Sequence, residues 1–401
     1  MSVERIFLLY RFTSRLYFHL PFLLIFFLQS NLSFLECGAA IAAYSILCSF
    51  FSKPIRKIVS FNNIKLNLVV GEVVKAVGLI VLAQQDDFAS ILIAQAVMAT
   101  GYVIALGWDS EILRYESRGR NKEAEKTGNS LIFSAIFISG ITGGFLATID
   151  ISLTLYASFI ACFLSAIIAF LFPSIGSKIK PTFNDKLKNS GNYSDNKNAR
   201  LMSSRESIII ISTYVTFRAL ILVTFITALP ILYFKIVQVP LYIFGLLLGS
   251  YTIASVFSSQ YWLQITTIIQ NRFPITAFMY ALVISSYGLV LGSNYIIELS
   301  YFVPILLGLV AGILRPCLIE FHHDTDAISA LLNSVESLVN GFSIFLTLVF
   351  CLFLYLYGEK LGMDYFSYFS ITVCVCLAFL HSLYQSRLQK LGNEQNAANN
   401  R

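Results

Sequence analysis

The sequence predicts an all-α integral membrane protein of about twelve transmembrane helices arranged as two six-helix bundles. Three observations predict it. The 401 residues are 57% hydrophobic and only 12% charged, with a mean hydropathy of +0.73, more apolar surface than a soluble core can hide. Apolar runs of roughly 20 residues, enough to cross ~30 Å of hydrocarbon, recur along the chain with short polar breaks. Lys and Arg collect on every second break, and the longest polar interval divides the apolar runs into six and six.

The runs place spans at residues 12–31, 35–52, 66–84, 88–113, 129–148, 152–172, 208–233, 241–263, 274–293, 295–314, 333–357 and 365–386. The first follows Arg11 and Arg15 but no small-residue cleavage site succeeds it, so it reads as a retained helix rather than a signal peptide. Assigning Arg5, Arg11 and Arg15 to the side of the N-terminus puts 24 of the 28 cations on that side and only Lys235 and Lys360 on the other, with Lys75 and Arg218 inside spans. The positive-inside rule then makes both termini cytoplasmic and the span number even, in a cell inner membrane. The interval rich in Lys, Asn and Ser reads as a linker. The expected organisation is a first bundle at 1–173, a cytoplasmic linker at 174–206, a second bundle at 207–388 and a cytoplasmic tail at 389–401.

The seven cysteines are odd in number and scattered through apolar segments, so packing residues are expected rather than a disulfide framework or zinc site. There is no phosphate-binding glycine loop, nucleophile elbow or metal-ligand motif, so neither catalysis of the soluble-enzyme type nor ATP hydrolysis is expected. No cofactor and no nucleic-acid partner is implied. The expected partners are a small molecule, a coupling ion such as the proton and the lipid bilayer, with the chain acting as a monomer.

Ionisable residues inside spans are costly unless paired or facing water, which makes each a candidate for function. Glu72 and Lys75 are three residues apart and share a helix face, so they pair with each other or serve coupling. Arg218 lies too deep in its span to reach the surface with ease and needs an anion, from Glu72, Glu336 or a substrate. Glu336, with Asn340 one turn further in, can be solvated, paired with Arg315 or protonated in one conformation. His19 is either a proton sensor or a hydrogen-bonded structural residue. Asp109, Glu111, Arg114, Arg315 and Glu320 are a candidate cytoplasmic ion-pair gate, or solvated helix-end charges. His322 and His323, beside Asp324 and Asp326, read as a hydrated loop before a metal site. Tyr214, Tyr251 and Tyr287 are pathway candidates among many lipid-belt aromatics.

Several local patterns extend this reading. The stretch Pro54, Ile55, Arg56, Lys57, Ile58, Val59, Ser60, Phe61, Asn62, Asn63, Ile64, Lys65 follows the second span. Tyr115, Glu116, Ser117 closes the fourth span, and Gly140, Thr142, Gly143, Gly144 sits in the fifth. With the six-plus-six split and the basic middle loop, these resemble the major facilitator superfamily and, at helices 4 and 5, its bacterial exporters. Ser60 and Asn63 stand where the family's aspartate and second glycine fall, and the helix 4 arginine motif of proton-driven drug exporters is absent. The resemblance implies secondary active transport by alternating access, with proton-coupled export of a small organic compound such as a drug, peptide antibiotic or siderophore. Proton-linked uptake of a small metabolite is the alternative, and a membrane enzyme or lipid-handling scaffold the remote one.

Overall fold

The computed structural model describes residues 2–59, 64–85, 87–106, 108–116, 121–173, 211–261, 264–265, 275–320 and 325–399, and the described residues contain helices and turns with no strand. The helices are α1 (Val3–Thr13), α2 (Leu23–Gln29), α3 (Phe34–Val59), α4 (Ile64–Ala83), α5 (Phe88–Ala105), α6 (Trp108–Glu116), α7 (Asn121–Ile149) and α8 (Ser152–Phe170). After the middle interval come α9 (Ile211–Ile236), α10 (Leu241–Gln260), α11 (Ile275–Gly292), α12 (Val303–Glu320) and α13 (Thr325–Asn399).

Local chemistry sets the helix starts. Ser33 and Glu36 form a reciprocal capping box ahead of α3, the Ser33 amide donating to Glu36 Oε2 at 2.8 Å and the Glu36 amide to Ser33 Oγ at 3.3 Å. Asp87 caps α5 by accepting from the Ser90 amide at 3.0 Å. In α9, Pro230 cannot donate to the carbonyl one turn back, and wider π-helical turns at Thr224–Ala228 and Ile231–Ile236 take up the mismatch. In α13, Gly358 adopts φ +77°, a left-handed conformation that favours glycine. The chain reverses there: Phe350 and Phe366 rings lie 4.8 Å apart, and a Cβ on Gly362 would stand 2.8 Å from the Leu354 backbone.

The first span departs from the sequence reading. It begins at Val3 rather than residue 12, and its helix stops at Thr13, resumes as a 3-10 turn at Leu20–Phe22 and continues as α2. The intervening backbone is held by short turn bonds, among them Arg15 N to Phe12 O at 3.3 Å and Tyr17 N to Arg15 O at 2.9 Å. Arg11 and Arg15, counted from the sequence as flanking cations, therefore lie well inside the span. Arg15 is twelve residues beyond Val3, a rise of about 18 Å if the helix were continuous.

Helix packing follows the small residues. Lipid provides no hydrophobic drive between helices, so close backbone approach matters. A Cβ on Gly71 would meet Gly101 O at 2.7 Å, and one on Gly101 would meet the Lys75 amide nitrogen, which fixes α4 and α5 antiparallel in tight register. The spans before residue 174 meet those after 210 along two lines. On one, α7 crosses α10, where a Cβ on Gly144 would lie 2.9 Å from Leu241 O and 3.0 Å from Gly245 Cα. On the other, α3 crosses α13, where a Cβ on Gly38 would lie 2.8 Å from Cys351 Cβ and Sγ. Both tight points sit towards the face opposite the N-terminus. Phe22 adds a T-shaped contact with Phe244 on the same side, centroids 5.5 Å apart, inside one apolar cluster that joins both groups of spans.

Candidate functional site

The break in the first span lies beside α4 and the end of α5, and polar side chains converge there. Glu72 and Lys75 are the ninth and twelfth of the 20 residues of α4, near the middle of the span. They are 1% and 6% exposed. Lys75 Nζ stands 2.7 Å from Glu72 Oε2, and the Tyr10 hydroxyl donates to Glu72 Oε1 at 2.7 Å. On the N-terminal side, Arg11 pairs with Asp109 of α6 and donates to Ser110 Oγ. Arg15, half-buried, lines the same pocket as Tyr102 of α5 and lies within electrostatic reach of Tyr17 and Asp109. Together Tyr10, Ser14, Arg15, Tyr17, Glu72, Lys75, Tyr102 and Asp109 line a pocket of about 20 Å³, room for about one water.

Irregular backbone at membrane depth is tolerated where it is buried in protein or lines a watery cavity, and the 14–19 break meets that condition. Charge is the notable feature. A charged side chain at the centre of a bilayer costs about 2.5–3.5 kcal/mol on insertion scales, and pairing offsets that cost. Here Arg11 is matched by Asp109 and Lys75 by Glu72, which leaves Arg15 with no carboxylate in ion-pair contact among the described residues. Among the described residues, three cations face two carboxylates there.

The sequence candidates distribute as follows. Glu72 and Lys75 are brought together, and Glu72 pairs with Lys75 rather than with Arg218. His19 is buried at the end of the break, its Nδ1 2.8 Å from Ser158 Oγ of α8 and its amide donating to the same oxygen at 3.2 Å. Arg218 is exposed on α9 while Phe217, Ala219, Leu220 and Ile221 around it are buried. With Ile211, Val215 and Leu222 it forms the open stripe of a span that is otherwise the most enclosed of those long enough to cross a membrane. An arginine facing hydrocarbon would be costly. Tyr251 of α10 lies within its electrostatic reach.

Asp109 of the expected gate pairs with Arg11 within the first group of spans, not across to the second. The side chains of Glu111, Arg114, Arg315, Glu320 and Glu336 fall outside the described residues, as do His322 and His323. Asn340 is half-buried on α13. Tyr214 and Tyr287 are buried, Tyr287 with its hydroxyl 2.6 Å from Thr224 Oγ1. Among the described residues there is no cluster of His, Cys, Asp and Glu able to hold a metal ion.

Sequence reasoning missed Arg15, Tyr10, Tyr17 and Tyr102. The usable signal was Pro21, six residues beyond Arg15 in the apolar run, which favours a helix start and an interruption just upstream of it. It also missed His381 on α13, whose ring nitrogens meet Ser212 Oγ at 3.1 Å and the Tyr280 hydroxyl at 3.0 Å.

No family model matches the chain, and no curated protein is similar to it in sequence. Solved structures do share its fold. The nucleoside transporter NupG superposes with a TM-score of 0.70 at 14% identity, over 95% of this chain and 99% of that one. The peptide transporter POT in complex with sulfate gives 0.71 at 11% identity, over 95% and 94%. A POT family transporter in complex with 5-aminolevulinic acid gives 0.67 at 14% identity, over 95% and 96%. The chain thus has an all-α membrane transporter fold over essentially its whole length.

Proposed function

We propose that this protein is a secondary active transporter that moves a small organic compound by alternating access. The observation that carries the reading is the combination of a broken first span at mid-depth with an ionised polar pocket, in a fold otherwise built of apolar helices. In transporters with this kind of internal division, sites lie near the midplane and discontinuous helices supply free backbone groups. Two bundles, 1–173 and 207–388 joined by a linker at 174–206, rock about the seams at Gly144 with Gly245 and Gly38 with Cys351. The seams are closed in this structure towards the face opposite the termini, while the stripe bearing Arg218 stands open.

The positive-inside distribution supports cytoplasmic termini in an inner membrane, so the open side is the cytoplasm. Moving Arg11 and Arg15 into the first span removes two cations from the count and leaves the bias intact. Proton exchange at Glu72, held by Tyr10 and Lys75, is the coupling step in this reading, with Arg218 on α9 of the second bundle. Export is favoured by the helix 4 end and the helix 5 glycines; uptake is favoured equally by the likeness in fold to nucleoside and peptide transporters.

Proteoliposomes with an imposed pH gradient test the proposal. Labelled solute should accumulate or deplete with the gradient, and collapse of the gradient or Glu72→Gln should abolish the concentrative component. Facilitated flux indifferent to both would remove proton coupling; no flux of any solute in a broad screen would remove the transporter reading. The sign of movement in right-side-out vesicles decides between export and uptake.

A further inference from the structure

The hydrogen bonds at His19 decide which ring nitrogen carries the hydrogen. The His19 amide donates to Ser158 Oγ at 3.2 Å, Nδ1 stands 2.8 Å from the same oxygen, and the Ser158 hydroxyl lies 2.8 Å from Thr154 O, one turn back on α8. A serine hydroxyl has one hydrogen to give and two lone pairs to accept with. Given to Thr154 O, that hydrogen leaves both lone pairs free, one for the amide and one for an Nδ1–H, and all three bonds form. Given to Nδ1 instead, it leaves only two. The fuller network puts the ring hydrogen on Nδ1 and a bare lone pair on Nε2. Among the described residues nothing hydrogen-bonds Nε2.

The ring is deep in the membrane-spanning part and close to the charged pocket. Ser158 is the seventh residue of α8, about 10 Å inside that helix. Tyr17 makes a T-shaped contact with the His19 ring, centroids 6.2 Å apart, and also lines the water-sized pocket that holds Glu72 and Lys75. The charged and titratable groups around His19 are Arg15 and Tyr17 on the break, Glu72 and Lys75 on α4, and Cys162 one turn from Ser158 on α8. Residues 130–149 of α7 and Thr224–Ala228 of α9, which pack against the turn at Leu20–Phe22, carry none.

Both Glu72 oxygens are engaged, one by Tyr10 and one by Lys75, so a proton taken there displaces a partner. A proton taken at Nε2 displaces nothing, because both nitrogens of an imidazolium donate and the Nδ1–H bond to Ser158 survives. A buried cation without water or an anion is costly, so loading and unloading belong to conformations that admit water to this depth. We propose that His19 is a second proton-binding site of the transport cycle, charged at Nε2 while Nδ1 stays bonded to Ser158. Its role rests on the transport reading, whereas the tautomer and the titration stand on the hydrogen bonds alone.

NMR of isotope-labelled histidine nitrogens, on the full-length protein in lipid bilayers, reads both. The four histidines are told apart by difference against His19→Asn and, independently, in a variant combining His322→Asn, His323→Asn and His381→Asn, which keeps His19 alone. At about pH 9 His19 should carry hydrogen on Nδ1 and none on Nε2; towards about pH 4 the Nε2 signal should cross to the protonated position while Nδ1 stays protonated. A purely structural histidine would leave both signals in place. Hydrogen on Nε2 at the alkaline end, or an Nε2 signal unmoved across the range, overturns the proposal. An Nε2 that titrates as expected, in a protein that carries no solute across proteoliposomes, sinks the transport reading alone. Flux driven by a pH gradient and undisturbed by His19→Asn sinks the part given to His19 in the cycle and leaves the transport reading standing.

Discussion

Gly144→Ala tests whether the α7 and α10 crossing is a seam that opens. The added methyl would stand 2.9 Å from Leu241 O and 3.0 Å from Gly245 Cα, against ordinary contacts of about 3.4–4 Å. Both obstacles are backbone, which cannot swing aside, so the helices must separate by several tenths of an ångström. Overpacking of this kind costs about 1–3 kcal/mol. The cost falls on the closed seam alone, whereas the gain in helix propensity from Gly to Ala, about 1 kcal/mol, is common to both conformations and cancels. The equilibrium between closed and open outer faces should therefore shift by a factor of about 5 to 150. Cys351, fully buried where α13 meets Gly38 on the second seam, is a native reporter. In a variant retaining Cys351 as its sole cysteine, a membrane-impermeant maleimide added from the outer side should label it faster by that factor when Gly144→Ala is present. Gly341→Ala, whose Cβ would meet nothing within 4 Å, is the control and should leave the rate unchanged. Equal labelling in both backgrounds would refute the rocking seam.

Other measurements bear on separate parts of the molecule. Glu72→Gln leaves the Lys75 ammonium buried without its partner and should cost about 3–5 kcal/mol; Glu72→Gln with Lys75→Met should recover most of the loss in thermal unfolding, and a double variant as unstable as the single one would show that the pair is not the cause. Tyr233→Phe removes a hydrogen bond of 2.6 Å to Ser300 O, a carbonyl that keeps the Val303 amide as donor, so a loss of about 0.5–1.5 kcal/mol is expected in denaturant titration. Asp87 lies outside the membrane-spanning segments, and its hydrogen bonds with the Ser90 side chain and amide hold its carboxyl below the usual range. A lowered folded value contributes stability above the unfolded carboxylate range of about 3.9 and loses it as pH falls through the folded value. Asp87→Asn should therefore lower the melting temperature near neutrality and flatten its decline in acid. Reporter fusions at Asn192 and Gln395 should lie on the same face of the bilayer, and opposite faces would overturn the span count.

Hydrophobicity made the spans legible because length and greasiness are what lipid demands of a helix. The later spans, such as α8 and α11, agree with the apolar runs to within a few residues for that reason. The first span did not, since Glu4, Arg5 and Arg11 look like boundary charges in a window average. Only the fold shows that Asp109 meets Arg11, a partner 98 positions away that no local pattern announces. The break after Thr13 went unread although Pro21, in the first turn of the resumed helix, marks its far end. Glu72 and Lys75 could be paired from spacing alone, since i and i+3 share a helix face. Arg218 was read as needing an anion, and its side chain is exposed on α9. Tyr10 and Tyr102 were lost among 21 tyrosines, whose number conceals the few that line the charged pocket.

The turn at Gly358 leaves the last two spans no slack. With one residue between them, and with Phe353 packed in tilted and edge-on contact with Tyr365 and Phe369 across the fold, they form a single close pair of tongs. Any tilt of the limb that bears Cys351 must carry the limb that bears His381, whose ring ties Ser212 of α9 to Tyr280 of α11. Motion at one leaflet thus reaches the other through covalent geometry, without a flexible connector to absorb it. Lengthening that corner by even a short flexible insert would uncouple the two ends.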